Sequence, residues 1–184
     1  MPWAHGRDLP VGLEGDADFR WILIGQLTRR GILTGDEVDE ALAQDRTMTG
    51  QLGALTARAA IPTEAGKAAA WADLTTNRER SNHELVAIAA GFWGPADRSL
   101  VEPYVERYFT DIPPMSAWLG EDALARVATM SYPSRFVSER TLELSRATLA
   151  RTDIDQGVRR SIVDAQSELE EALASRRAFP PASA

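Results

Sequence analysis

The sequence predicts an all-α protein, and three observations carry that expectation. Apolar residues recur at every third or fourth position through most of the chain. Thr or Ser stands three residues ahead of Glu where two of these runs begin. Sustained polar/apolar alternation and the hairpin dipeptides Asn-Gly and Asp-Gly are absent.

The elements follow in order. From Asp16, the residues Phe19, Leu23 and Leu27 are spaced by four and Ile22 and Ile24 widen the stripe; Arg29, Arg30 and Gly31 end it, with basic charge at the negative end of the helix dipole. Thr34 and Glu37 form a capping box, in which each side chain satisfies the other's free backbone N–H, ahead of Val38, Ala41 and Leu42 in a helix running to about Arg46. Leu52, Leu55 and Ala59 mark a third helix stopped by Pro62, and Thr63 opens a fourth through Ala69, Trp71 and Leu74. Ser81 and Glu84 repeat the capping box before Leu85, Ile88, Ala89 and Phe92, and Gly94-Pro95 closes that segment. Leu100, Tyr104, Val105, Tyr108 and Phe109 continue the period, with Pro103 confined to a first turn or a kink because it lacks a backbone donor.

Pro113-Pro114 is a break. After it, Met115, Trp118, Leu124, Val127 and Met130 predict a helix over residues 114–130 with Gly120 as its weak point, and Tyr132-Pro133 turns the chain. Phe136, Val137, Leu142, Leu144 and Leu149 give a further helix. The last starts at Asp155 and carries Val158, Ile162, Ala165, Leu169, Ala172 and Leu173, with Arg176 and Arg177 at its C-terminal end.

Eight or nine short helices joined by Pro- and Gly-containing links fit an irregular α-superhelix of stacked antiparallel helix pairs, similar to HEAT or armadillo arrays, with a globular bundle as the alternative. At 184 residues the chain makes one domain or two small ones. We expect an irregular lead-in over residues 1–15, a single helical domain over 16–177 and a disordered tail over 178–184. The lead-in, rich in Pro and Gly, reads as a segment that expects something upstream.

Composition narrows the function. The net charge of −7 argues against a sequence-independent nucleic-acid or anionic-membrane binder, both of which need a positive field. The absence of cysteine excludes disulfides, thiolate zinc sites and cysteine nucleophiles. No apolar run reaches the roughly 18 to 20 residues of a membrane span, and the start lacks the apolar core of a secretory signal, so a cytoplasmic protein is expected. All basic residues are Arg except Lys67, a bias read here as the codon usage of a GC-rich genome.

Catalytic constellations find little support. His83-Glu84 begins the zinc-protease pattern H-E-x-x-H, but the segment continues Leu85-Val86-Ala87 and lacks the second His, so Glu84 reads as a capping residue and His83 as an exposed first-turn residue. Acid clusters such as Asp36, Glu37, Asp39 and Glu40, or Glu168, Glu170 and Glu171, fall on expected solvated faces. With His5 in the lead-in and His83 at a helix start, a Ser–His–Asp arrangement has few ways to assemble, and no glycine-rich phosphate loop is present. The one notable concentration is aromatic: Phe92, Trp93, Tyr104, Tyr108, Phe109, Trp118 and Tyr132. It reads either as interhelical packing or as a docking face, with Arg98, Arg107 and Arg135 near enough to orient a carboxylate.

At this cluster the chain resembles a known family. Ser81-Asn82-His83-Glu84-Leu85, Ala89-Ala90-Gly91-Phe92-Trp93, Pro103-Tyr104-Val105-Glu106-Arg107-Tyr108-Phe109 and Tyr132-Pro133 look like the C-terminal domain of actinobacterial aminopeptidase N. Leu9-Pro10-Val11-Gly12-Leu13, Phe19-Arg20-Trp21, Asp45-Arg46-Thr47 and Ala68-Ala69-Ala70-Trp71 extend the similarity to about Leu9 through Leu173. The resemblance implies a parent zinc aminopeptidase of the thermolysin-like clan that removes N-terminal residues from peptides. It also implies that this part is a helical superhelix that caps the catalytic domain and limits access to the active site. The family's zinc helix, its downstream glutamate ligand and its Gly-x-Met-Glu-Asn segment have no counterpart here, so no catalytic or metal residue carries over.

The leading expectation is therefore an accessory domain, inactive alone, without a cofactor of its own, and with zinc implied only for the parent. Its partners are the upstream catalytic domain of the same polypeptide and, through the parent, peptide substrates; nucleic acid and membranes are not expected. Trp93, Tyr104, Tyr108, Trp118 and Arg135 are the candidates for an interdomain or cavity face. The alternatives are a stand-alone α-solenoid that binds a peptide or protein and, more remotely, an autonomous hydrolase using carboxylates.

Overall fold

The computed structural model describes residues 16–95 and 97–179; the expected lead-in, and the tail from residue 180, lie outside them. Nine α-helices and no strand occur among the described residues. Short polar side chains decide where most of them begin. Asp16, Thr47 and Thr63 each accept from a backbone N–H of the first turn of α1 (Ala17–Arg29), α3 (Met48–Ala60) and α4 (Glu64–Thr76). Both expected capping boxes form, Thr34 with Glu37 ahead of α2 (Gly35–Gln44) and Ser81 with Glu84 ahead of α5 (Asn82–Phe92). Pro103 is the first residue of α6 (Pro103–Asp111), where its missing N–H costs nothing. Ser138 and Asp155 cap α8 (Glu139–Leu149) and α9 (Gln156–Ala178), and α7 (Glu121–Ser131) starts after Gly120 without a side-chain cap.

The expected single helix over 114–130 is divided. Residues Pro113–Ala117 form a tight 3-10 turn and α7 begins only at Glu121. The successive prolines remove two backbone donors and Gly120 adopts an extended conformation, so the α-helical ladder cannot run through. Phe136 and Val137, read from the sequence as helical, likewise precede the Ser138 cap.

The helices gather into two compact units, the first ending at Val101 and the second beginning at Glu102. In the first, α3 is central and packs against α1, α2, α4 and α5, with α4 also on α5. Helix α1 presents a different face from the one its sequence stripe suggests. Trp21, Ile24 and Thr28 are buried, whereas Ile22 is 60% exposed. The indole decides this: Trp21 Nε1 donates to Asp45 Oδ2 at 2.8 Å, and its ring lies where a Cβ on Gly53 of α3 would approach to 2.5 Å. Helix α1 ends in a Schellman motif, with Gly31 at φ 69°, Gly31 N–H on Thr28 O and Ile32 N–H on Leu27 O.

In the second unit, α9 packs on α7 and α8, α6 packs on α8, and the 3-10 turn contacts α6 and α7. In both units helices therefore touch their next-but-one neighbours, the packing of stacked helix pairs. Tyr108, Ile112, Met115, Leu124, Val127, Val158 and Ile162 form a buried core, and Leu142, Leu169 and Leu173 form a smaller one between α8 and α9. No helix among the described residues is long and apolar enough to cross a membrane.

Small residues let α3 and α5 approach closely. Ala54, Ala57, Ala59, Ala60, Ala87, Ala89 and Gly91 are all buried, and Thr56 Oγ1 donates to Ala87 O at 3.0 Å. A Cβ on Gly91 would stand 2.1 Å from Thr56 O, which is backbone and cannot step aside. Gly91→Ala should therefore lower stability by about 1 to 3 kcal/mol although alanine is the better helix former, and urea unfolding of the two proteins checks this.

Candidate functional site

The aromatic concentration of the sequence separates into two clusters, one in each unit. In the first, Trp71 of α4 is fully buried, with ring centroids 5.0 Å from Phe92 and 6.2 Å from Trp93. Phe92 and Trp93 meet edge to face at 5.2 Å. Trp93 is half-buried at the end of α5. In the second, Tyr108, Phe109 and Tyr132 form a triangle of edge-on contacts at 4.9, 5.4 and 6.1 Å.

The candidate residues differ in what they can offer a partner. Tyr108 is enclosed in the second unit's core and donates to Ala128 O at 3.0 Å. Burial and the neighbouring Tyr132 push its phenol well above the usual range, so it acts as a fixed neutral donor. Tyr104 is also buried and carries the Arg107 guanidinium 5.2 Å from its ring centroid. Trp118, just after the 3-10 turn, is half-buried, and Arg135 is exposed. Tyr132 shares a hydrogen bond with Ser145 Oγ at 2.8 Å, and burial raises its phenol too. Five of the seven aromatics, Phe92, Tyr104, Tyr108, Phe109 and Tyr132, are thus buried within their own units.

The first unit also contains a cavity of about 350 Å3, bordered by α2, α3, α4 and α5. Leu55 and Ile88 contribute to its apolar lining, and Arg58 and Arg80 are among its charged residues. Arg58 is paired with Asp39 at 2.5 Å; Arg80 is paired with Asp73 at 2.9 Å and Glu84 at 2.8 Å. Hydrogen bonds from Ser81 and Arg80 hold the Glu84 carboxyl below its ordinary range. Both guanidiniums are thus paired with carboxylates, and the lining offers no nucleophile beside a base. His83 is exposed in the first turn of α5, and the acids Asp36, Asp39, Glu40, Glu168, Glu170 and Glu171 are exposed. Among the described residues no three His, Asp or Glu side chains converge in a way that could hold a metal ion, so they do not fit a zinc site.

Sequence reasoning passed over Lys67. Its side chain is fully buried, and Nζ donates to Ala59 O at 2.6 Å and to Phe92 O at 2.7 Å, 5.0 Å from the Phe92 ring centroid. The signal was present in the composition, because codon bias accounts for Arg at nineteen positions but not for the exception.

A family model described as the ERAP1-like C-terminal domain matches residues 3–171. The chain belongs to that family. Over 173 residues it is 34% identical to the Aminopeptidase N of Streptomyces lividans, a match covering 94% of this chain and 20% of the relative. It is thus a C-terminal domain of the aminopeptidase N type and spans about a fifth of the length of that relative. Both aromatic clusters of the ERAP1-like domain lie within the matched stretch, together with α1 to α8 and most of α9.

The Tyr108 hydroxyl supplies a partner to a carbonyl in the last turn of α7, a buried acceptor that otherwise lies beyond the helix's own ladder. Tyr108→Phe is accordingly expected to lower stability by about 1 to 3 kcal/mol with secondary structure unchanged, measured by urea unfolding and circular dichroism.

Proposed function

We propose that this domain is the accessory part of a zinc-dependent aminopeptidase, where it caps the catalytic domain and restricts which peptides reach the active site. The observation that carries the reading is the match across 94% of this chain to one fifth of an aminopeptidase N. The chemistry of peptide cleavage, with zinc as the Lewis acid that polarises the scissile carbonyl, then belongs to the remainder of the parent. The chain alone is expected to have no peptidase activity.

The contribution of this part is exclusion. A helical cover over a reaction chamber admits a flexible peptide terminus and turns away folded protein, and a chamber poor in bulk water strengthens every electrostatic interaction within it. Trp93 of the first unit and Trp118 and Arg135 of the second combine surface access with the flat or forked shapes favoured at interfaces, and we assign them to the surfaces through which each unit meets the catalytic part. Tyr104 and Tyr108 support these surfaces from within.

A graft tests the proposal. This chain, placed in the S. lividans enzyme in exchange for its matching segment, should sustain cleavage of short peptides and keep longer or folded substrates excluded. Deletion of the segment should raise the ratio of long- to short-peptide cleavage or abolish activity. A deletion variant with unchanged activity and an unchanged substrate-length profile would remove the capping role, and peptidase activity of the isolated chain abolished by chelation would remove the division of labour.

A further inference from the structure

Lys67 occupies an unusual electrostatic position. It lies in the first part of α4, whose dipole disfavours a cation there, yet it is fully enclosed. Opposing that cost, its amine bridges the ends of two other helices: Ala59 lies in the last turn of α3 and Phe92 is the last residue of α5. Those carbonyls lie beyond the helices' own hydrogen-bond ladders and at the negative ends of their dipoles.

From α1 comes Arg29, whose side chain lies against the backbone just past α5; a Cβ on Gly94 would stand 2.2 Å from Arg29 Nε. From α3 and α5 come the two carbonyls and the Phe92 ring. Within α4 the ionisable group one turn earlier is Glu64, which is exposed. Among the described residues no carboxylate forms an ion pair with Lys67 at 4.0 Å or less. Among the described residues, dipoles and a ring face therefore hold this cation, and no carboxylate pairs with it.

We propose that Lys67 is a proton-linked clasp, such that folding of the first unit expels a proton from this amine and the unit is weaker in mild acid than in mild alkali. Geometry supports both halves of the statement. A neutral amine retains two N–H donors, so both helix ends stay bridged after the proton leaves. The charged amine gains the ring face but bears the full desolvation cost beside a second cation. Burial first, and the Arg29 charge second, lower the amine from its ordinary 10.5 to about 7.

The sign follows from proton counting. Between about pH 7 and 10.5 the unfolded chain carries a proton on this lysine that the folded chain lacks, so stability rises with pH through that window. Below pH 7 both states are protonated and the desolvation penalty is fully present. Glu84 and Asp45, both held below their ordinary range, lose their stabilising charge only in stronger acid and leave this window clear.

Because Lys67 is the sole lysine, selective labelling gives one side-chain amine signal, and its titration by NMR reads the clasp directly in the unmodified chain. A midpoint more than one unit below 10.5 is expected, and a midpoint within one unit of that value would overturn the proposal. In parallel, the folding constant from urea unfolding should increase about 10- to 100-fold from pH 6 to pH 9, and Lys67→Met should flatten that dependence. Parallel pH profiles for the two proteins would equally overturn it. Should the variant fail to fold, the titration of the unmodified chain decides alone.

Discussion

A fold made of many short helices is constrained above all by its helix ends. Each end leaves up to four backbone groups outside the intrahelical ladder, and in a chain with nine helices among its described residues such groups are a large share of the backbone that has to be buried or bonded. The N-terminal ends are closed locally, by Ser, Thr or Asp immediately ahead of seven of the nine helices. At the C-terminal ends the local closures are backbone bonds, such as the Schellman turn at Gly31 and the short-range bonds from Asp45 N–H to Leu42 O and from Ile61 N–H to Arg58 O, and several ends also depend on side chains from elsewhere in the chain. Lys67 closes α3 and α5, Tyr108 closes α7, and Arg159 donates to Leu149 O at the end of α8 at 2.7 Å. Those closures are also tertiary contacts, so satisfying a helix end and fixing the neighbour's position are the same event.

This asymmetry explains which parts of the fold were legible in the sequence. Starts are written within four residues, as Thr34 with Glu37 and Ser81 with Glu84 demonstrate, and both appear as expected. Buried faces, and the closure of some C-terminal ends, depend on partners distant in sequence. The buried face of α1 is set by an indole that reaches Asp45 and fits against Gly53, information that a periodic stripe of Phe19, Leu23 and Leu27 does not contain. The division of the 114–130 segment was signalled by Pro113, Pro114 and Gly120, but apolar periodicity continues across both sides of the break and masks it.

The aromatic residues illustrate the same limit at the level of the candidate site. Seven aromatics within 41 residues suggest one surface, yet a chain boundary between compact units at Val101 and Glu102 falls inside that stretch. Trp93 joins Trp71, from a helix earlier in sequence, and Tyr108 joins Tyr132, from beyond α7. Aromatic rings are large and flat, so they locate wherever two or three helices leave a gap of their size, irrespective of their spacing along the chain. Residue types therefore indicated the family, whereas the burial of each ring required the three-dimensional arrangement.

Lys67 shows why an exception to a compositional bias can carry more structural information than the bias. Arginine replaces lysine readily on a surface, where both are solvated cations. Inside the first unit the acceptors are two carbonyls and a ring face, without a carboxylate in ion-pair range among the described residues. A guanidinium would bring five donors on a planar fork and a charge it cannot release. Two carbonyls and a ring face cannot satisfy all five, and each buried donor left unmet costs of the order of 1 to 3 kcal/mol. An amine brings fewer donors, occupies less volume and can give up its proton, so at this position the two basic residues are not interchangeable.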